Sequence, residues 1–264
     1  MQRLYVIVLY LMCLVFSNKE SLAFTTKAKQ AILIDYHSNT ILFEKNSKTA
    51  MTPSSMTKVM TIYLTFEALA EKSLRLEDSF YISKKAWKQG GSRMFVEVDS
   101  YVKVDDLIRG TIVSSGNDSA MALAEGIAGS EESFAHQMSE KAKTLGALNS
   151  KFLNSNGWPV EGHYTTAYDL AQISMATIRN FPMLYSKYYI QSQYKYNNIL
   201  QHSHNTLLEK KFSNYHIDGL KTGYTNSGGY GIITSAIGPN NMRLVAVVNG
   251  LESPSERIEA TESL

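Results

Sequence analysis

Apolar and polar positions divide this chain of 264 residues into three textures. The first is β-like. "AILIDYHSNTILFEKN", residues 31–46, sets two short β-rich runs, at 32–36 and 41–43, around the polar stretch 37–40, which predicts a hairpin. The second is helical. From about residue 55 to residue 70, Met56, Val59, Met60, Tyr63, Leu64 and Leu69 approximate one face of a helix. Four more segments read as helices: "VDDLIRGTIVSS", "NDSAMALAEGIA", "EESFAHQMSEKAKTLG" and "TTAYDLAQISMATI", separated by loops such as "SNGWPVEGHY". Beyond residue 206 the texture returns to β. "GGYGIITSAIG" and "NMRLVAVVNG" are β-branched, apolar and joined by "GPNN", which predicts a second hairpin. "SPSERIEATESL" then opens with a helix-start pattern.

Strands at both ends with helices inserted between them predict an α+β fold. An antiparallel sheet would be built from N- and C-terminal strands, with a helical lobe packed beside it and a cleft at the lobe boundary. A composition of 44% hydrophobic and 19% charged residues suits one compact unit, and no repeat, low-complexity tract or linker interrupts it.

Charge and residue usage remove several classes of function. A net charge of +2 without a basic run argues against nucleic acid. The six histidines form no HxxxH or HExxH spacing, so no metal is expected. His202 and His204 form an alternating pair of a kind that mostly binds nothing. The first 24 residues, "MQRLYVIVLYLMCLVFSNKESLAF", read as a secretory signal: Arg3, an apolar core over 4–16, and "SLA" as a small-x-small cleavage site. That core is short against the ~20 residues of a membrane span. The alternatives are an uncleaved anchor and a buried strand. The expected division is a signal at 1–23 and a mature domain at 24–264. Cys13, the one cysteine, lies inside the signal after "YLM", a poor lipobox, so the mature chain suits an oxidising envelope or periplasm.

Candidate chemistry concentrates in "AMTPSSMTKVMTIYLTFEAL", residues 50–69. A serine at a helix start can simply cap it. Residues three apart on a helix share a face, so Lys58 can also bring its amine to the Ser55 hydroxyl. Serine needs a base to become a nucleophile, and lysine serves as one only when neutral. Burial and a second cation would both lower the lysine pKa. S-x-x-K by itself decides little, because Ser192 and Lys195 match it too. "SSGNDSAMALAEG" adds Ser115 and Asn117 as S-x-N where a loop enters an apolar helix, with capping by Asn117 or Asp118 as the plain alternative; Ser203 and Asn205 repeat the spacing. "HIDGLKTGYTNSGGYG" adds Lys221, Thr222 and Gly223 as the chain's one K-T-G, and a strand glycine lets another backbone or a ligand approach closely.

S-x-x-K, S-x-N and K-T-G in this order form the signature of penicillin-recognising serine enzymes. Over nearly all of residues 29–264 the chain resembles the D-alanyl-D-alanine carboxypeptidases, the low-molecular-mass penicillin-binding proteins of the S11 serine peptidase type. The resemblance includes "MTPSSMTKVMT", "GGSRMFVEV", "DLIRGTIVSSGNDSAMALAE", "HYTTAYDLA", "DGLKTGYT" and "MRLVAVVNG". It implies a β-lactamase/transpeptidase-like fold and a peptidase that removes the terminal D-alanine from peptidoglycan stem peptides through an acyl-enzyme, without a cofactor. By that likeness Ser55 is the nucleophile and Lys58 its base. Ser115 and Lys221 carry the proton to the leaving D-alanine. Asn117 holds the substrate backbone, while Thr222 and Arg257 receive the terminal carboxylate. Backbone N–H groups of Ser55 and Tyr224, the latter next to Gly223, form the oxyanion hole. β-Lactams would acylate Ser55 and leave slowly. Many members continue into a β-rich domain and an amphipathic membrane helix; this sequence stops soon after "SPSER", so no C-terminal anchor is expected. Three rivals remain open: a serine β-lactamase, for which no E-x-x-L-N loop is present and Glu161 lacks the context; an endopeptidase on crosslinked peptides; and a wall-binding protein with a relic site.

Overall fold

The computed structural model describes residues 24–264. The segment read as a secretory signal lies outside the described residues, and so does its cleavage boundary.

The chain begins with β1 (Gln30–Asp35) and β2 (Ile41–Lys45), the expected hairpin. A 3-10 turn at Ser54–Thr57 runs into helix α1 (Lys58–Ala70). Next come β3 (Ser79–Tyr81), α2 (Lys84–Lys88), β4 (Tyr101–Lys103), α3 (Val104–Ile112), α4 (Asn117–Ala128), α5 (Glu131–Thr144), α6 (Ala167–Asn180) and α7 (Pro182–Tyr188). A small hairpin follows, β5 (Gln193–Tyr196) and β6 (Ile199–His202), then β7 (His216–Thr225), β8 (Gly229–Ile237), β9 (Arg243–Leu251) and α8 (Pro254–Glu262).

The main sheet has the order β2-β1-β9-β8-β7, with its five strands antiparallel. The N-terminal hairpin therefore docks on the last strand, Ile32 opposite Val247. Residues on these strands alternate between two buried layers. Ile32, Ile34, Ile233, Val245 and Val247 join one core with Met60 and Leu170 of the helical lobe, whereas Ala31, Ile232 and Val248 face a smaller core that includes Ala260 of α8. A sheet covered on both faces needs apolar side chains at successive positions, which is why β8 and β9 read as continuous apolar runs.

α1 departs from the one-faced helix that the sequence suggests. Its first nine residues, Lys58 to Phe66, are all buried, because it runs through the middle of the lobe with α3, α4, α5 and α6 around it. Its polar members find internal partners: the Thr61 hydroxyl donates to the Ser155 carbonyl at 2.5 Å, and that of Thr65 to the Thr61 carbonyl at 2.9 Å. The strands β3 and β4 and the short α2 were not foreseen, and neither were α7 and the β5–β6 hairpin. α7 follows α6 after a break at Phe181, and the tyrosine-rich stretch folds as β5–β6. Asn197 and Asn198 turn that hairpin with φ of 45° and 62°, the left-handed pair that a tight two-residue turn demands. No helix among the described residues is long and apolar enough to cross a membrane.

One ion pair, its carboxylate buried and its guanidinium partly so, ties the edge strand β7 to the sheet. Arg243 Nη1 lies 2.8 Å from Asp218 Oδ2, Tyr185 donates its hydroxyl to Asp218 Oδ1 at 3.0 Å, and Arg243 also donates to Ser235 Oγ. Removing one member of such a pair leaves a buried charge without compensation. Arg243→Met is therefore expected to cost about 3–5 kcal/mol. In urea this reads as a lower unfolding midpoint at unchanged slope.

Candidate active site

The site is assembled where the 3-10 turn, the start of α4 and the edge strand β7 converge. Two glycines permit that closeness. A Cβ on Gly223 would stand 3.0 Å from the Pro53 carbonyl oxygen and 3.1 Å from Met56 Cγ, so the strand and the turn touch only because residue 223 has no side chain. Gly157, with φ of +82°, lies so near the turn that a Cβ would fall 1.8 Å from the Ser54 carbonyl oxygen. Ser54 Oγ and Thr225 Oγ1, 2.8 Å apart, fasten the turn to the end of β7.

Ser55 is not a helix cap here. The 3-10 turn and α1 begin without a side-chain cap, and the Ser55 hydroxyl instead meets Lys58 Nζ at 2.9 Å. That amine is 1% exposed as a residue and touches two further oxygens at 2.7 Å each, Asn117 Oδ1 and the Asn156 carbonyl. Asn117 Nδ2 donates to the Gly90 carbonyl, so its Oδ1 is the atom left to face the lysine. Both partners of the amine can only accept. A neutral lysine has two hydrogens and one lone pair. With the hydrogens spent on Asn117 and Asn156, the lone pair points at Ser55. Burial first, and then the Lys221 cation, push Lys58 well below its ordinary pKa of 10.5.

Lys221 stands across the site from Lys58. It is buried, donates to Ser115 Oγ at 2.8 Å, and is brought down to about 7 by burial and then by the Arg257 guanidinium. Ser115 holds this contact from a left-handed backbone, φ 57°, a conformation that costs a non-glycine residue energy. Thr222 is buried on the cleft wall, and Tyr224 is half exposed at the rim, stacked on Tyr230 with ring centroids 4.1 Å apart. Arg257 reaches the same cleft from α8, where its Nη2 donates to the His204 carbonyl and its buried Nε has no partner. All nine residues singled out by motif thus lie together, around a cleft of about 770 Å³.

The duplicate motifs do not. Ser192 precedes β5 and Lys195 lies within it, so the pair has no helix to share; Asn205 caps the turn at Thr206–Glu209 and donates to the Gly219 carbonyl. Nor do Asn117 and Asp118 act as caps. Asp118 accepts from the backbone N–H groups of Met94 and Phe95 at 2.8 and 2.9 Å, which pins loop 92–96 beside the S-x-N motif.

Sequence reasoning missed what the loop at 154–158 contributes. Asn154 Oδ1 accepts from Gly157 N, Asn156 Oδ1 accepts from Trp158 N, and Ser155 is held by Glu131, which together aim the Asn156 carbonyl at Lys58. Only the glycine two residues before Pro159 signalled a tight path there. His204 was set aside as part of an idle pair, yet it lines the cleft; burial, with Lys221, Arg257 and Lys58 nearby, keeps it neutral with a pKa of about 4. Among the described residues no carboxylate lines the cleft, and no group of three His, Cys, Asp or Glu side chains could hold a metal ion.

A family model for D-alanyl-D-alanine carboxypeptidases, peptidase S11, matches residues 16–253. The chain belongs to this family. It is 38% identical over 236 residues to the D-alanyl-D-alanine carboxypeptidase DacF of Bacillus subtilis, covering 88% of this chain and 59% of that protein. To DacC of Escherichia coli it is 37% identical, with 90% and 60% covered. The chain thus spans about three-fifths of the length of these curated relatives. Among solved structures, penicillin-binding protein 5 from Haemophilus influenzae superposes with a TM-score of 0.87 at 35% identity, over 91% of this chain and 70% of the other. The antiparallel sheet with an inserted helical lobe is the shared fold.

The two depressed lysines make stability depend on pH in a fixed direction. An unfolded chain keeps lysine protons to about 10.4, whereas the folded protein releases that of Lys221 near 7. Between these values the unfolded state binds more protons, so stability rises with pH. The unfolding midpoint is expected to climb from pH about 7 toward 10. In Lys221→Met the climb should be shallower; equal slopes for the two proteins would mean that Lys221 does not titrate low.

Proposed function

We propose that this family member is a serine D-alanyl-D-alanine carboxypeptidase that removes the terminal D-alanine from peptidoglycan stem peptides. The observation that carries the reading is the Lys58 amine, whose two carbonyl partners leave its lone pair for the Ser55 hydroxyl. In the first step Ser55 Oγ attacks the carbonyl of the penultimate D-alanine as its proton passes to Lys58 Nζ. The developing oxyanion is received by the backbone N–H groups of Ser55 and Tyr224. Donors fixed in that position are worth about 3 kcal/mol each. The C–N bond then breaks, and the departing amine takes a proton along the contact between Lys221 and Ser115; the proton that Lys58 took from Ser55 replaces it, which leaves Lys58 neutral again. Water next attacks the Ser55 ester and gives its proton to neutral Lys58, which returns it to Ser55 Oγ as the shortened peptide leaves.

Charge orders the cleft. Lys221 and Arg257 gather cations where the substrate's carboxylate would lie beside Thr222, and that carboxylate in turn favours protonated Lys221. Asn117 holds the substrate backbone on the other side of Ser55. The same arrangement accepts β-lactams as acylating inhibitors. A β-lactamase reading is disfavoured because rapid deacylation of the common class needs a carboxylate beside the ester, and none lines this cleft; Glu161 is exposed outside it. The proposed domain is residues 24–264, delivered to the periplasm or envelope by the leader at 1–23, where its stem-peptide substrate resides.

Two assays on one variant test this. Wild-type protein is expected to bind fluorescent penicillin covalently and to release D-alanine from a pentapeptide ending in D-alanyl-D-alanine. Ser55→Ala should lose both, with D-alanine release down by at least about a thousandfold, as when a nucleophile is removed. Retention of either activity by Ser55→Ala would overturn the assignment of Ser55.

A further inference from the structure

The cleft does not end at the residues that carry the chemistry. Past Trp158 and Asn156 it passes directly into a second groove of about 590 Å³, which shares these two residues with it. Gly91 lines the first space and Gly90 the second. The Gly90 carbonyl accepts from Asn117 Nδ2 at 2.7 Å, so the lip between them is fixed to the S-x-N asparagine. Asn156 and Trp158 join the groove to the cleft, whereas Arg257 and Thr222 line the cleft alone. If those residues take the carboxylate of the leaving D-alanine, a peptide crossing Ser55 must send its acyl-donor half toward Trp158 and beyond.

The far groove has chemistry of its own. Its floor is apolar, with Met121, Leu153 and Val160 beside the half-exposed Trp158, and its outer wall carries Lys85 and Lys88 on α2. Lys85 is committed, 2.8 Å from Glu132 and 3.4 Å from Glu131. Lys88 is exposed, and among the described residues it has no ion-pair partner. Gln89, Asn154 and Glu131 also line the groove, and the Glu131 carboxylate is already paired with Lys85 and bonded to Ser155, so the unpaired Lys88 is the cation left to meet an anion borne upstream of the scissile bond.

We propose that this groove is an acyl-donor subsite and that Lys88 there pairs with a carboxylate carried by the stem peptide upstream of D-alanyl-D-alanine. The proposal rests on the carboxypeptidase reading above and deepens it. Two carboxylates of a stem pentapeptide meet the description: that of the second-residue D-glutamyl unit, and that on the side chain of a third-residue diamino acid. The groove is long enough to leave the choice to experiment.

D-Alanine release would be compared for the acidic pentapeptide, for forms amidated at one or the other carboxylate, and for the short diacetyl-L-lysyl-D-alanyl-D-alanine. Wild-type protein should favour the acidic peptide over one amidated form by about two- to fivefold in kcat/KM, the size expected of an exposed ion pair. The difference should lie in KM, with kcat retained. Lys88→Gln should erase the preference and Lys88→Glu should reverse it, while both keep wild-type penicillin labelling and wild-type turnover of the short substrate. The subsite is overturned if wild-type protein hydrolyses the acidic and both amidated peptides equally, if Lys88→Gln keeps the preference, or if that variant loses activity equally on every substrate. No D-alanine from any of the four would sink the carboxypeptidase reading and the subsite with it, an outcome distinct from indifference to charge.

Discussion

The structure is organised around an amine buried where an ammonium ion does not belong. Lys58 is 1% exposed and has only neutral oxygens around it, the Ser55 hydroxyl and two carbonyls. An ion in that position loses its hydration, and the nearby Asp118 carboxylate offsets that loss only in part. Burial therefore pushes the Lys58 pKa well down, and the Lys221 cation pushes the same way. A neutral lysine beside a serine is a base beside a nucleophile. In the proposed function this buried amine at the start of the central helix and the Ser55 hydroxyl are the reactive pair.

Much of the fold serves to hold that cage closed. The Asn117 side chain comes from the first residue of α4, whose loop neighbours are fixed by Asp118 through backbone N–H groups. The Asn156 carbonyl comes from a loop cross-linked by its own asparagine side chains and by Glu131. The serine's turn is squeezed between Gly157 and Gly223, each bare because a methyl group would strike the chain opposite. Close-packed interiors transmit such contacts. The position of one hydroxyl is therefore set by three elements far apart in sequence, with the edge strand anchored behind by the Asp218–Arg243 pair.

Charge then gives the cleft a direction. Cations accumulate at the end formed by β7 and α8, where Arg257 lowers Lys221 and Lys221 lowers Lys58. Cations so placed, in a cleft that no carboxylate lines among the described residues, favour an anion, which in the proposed function is the terminal carboxylate of the substrate. The groove beyond is apolar and aromatic at Trp158 before it meets the lysines of α2. A substrate with a charged tail and a long acyl portion fits one orientation only.

The sequence by itself determined the ingredients that local physics writes into neighbouring residues. Alternation made both hairpins legible, helical period marked the long helices, and the spacing of Ser55 to Lys58 put two groups on one face, since each depends on positions within a few residues. The order of the three motifs pointed to the family and hence to its fold. Motif order and likeness had already favoured one copy of each motif, and the tertiary structure shows how the other copies are placed. Ser192 and Lys195 have the right spacing but fall at a strand, and Ser203 and Asn205 sit at a turn where the asparagine caps. It also decided the burial of α1 on all sides, the part played by the Asn156 carbonyl and the place of His204 on the cleft wall. A carbonyl has no side-chain signature, and burial and electrostatic potential are sums over neighbours that the chain brings together only on folding.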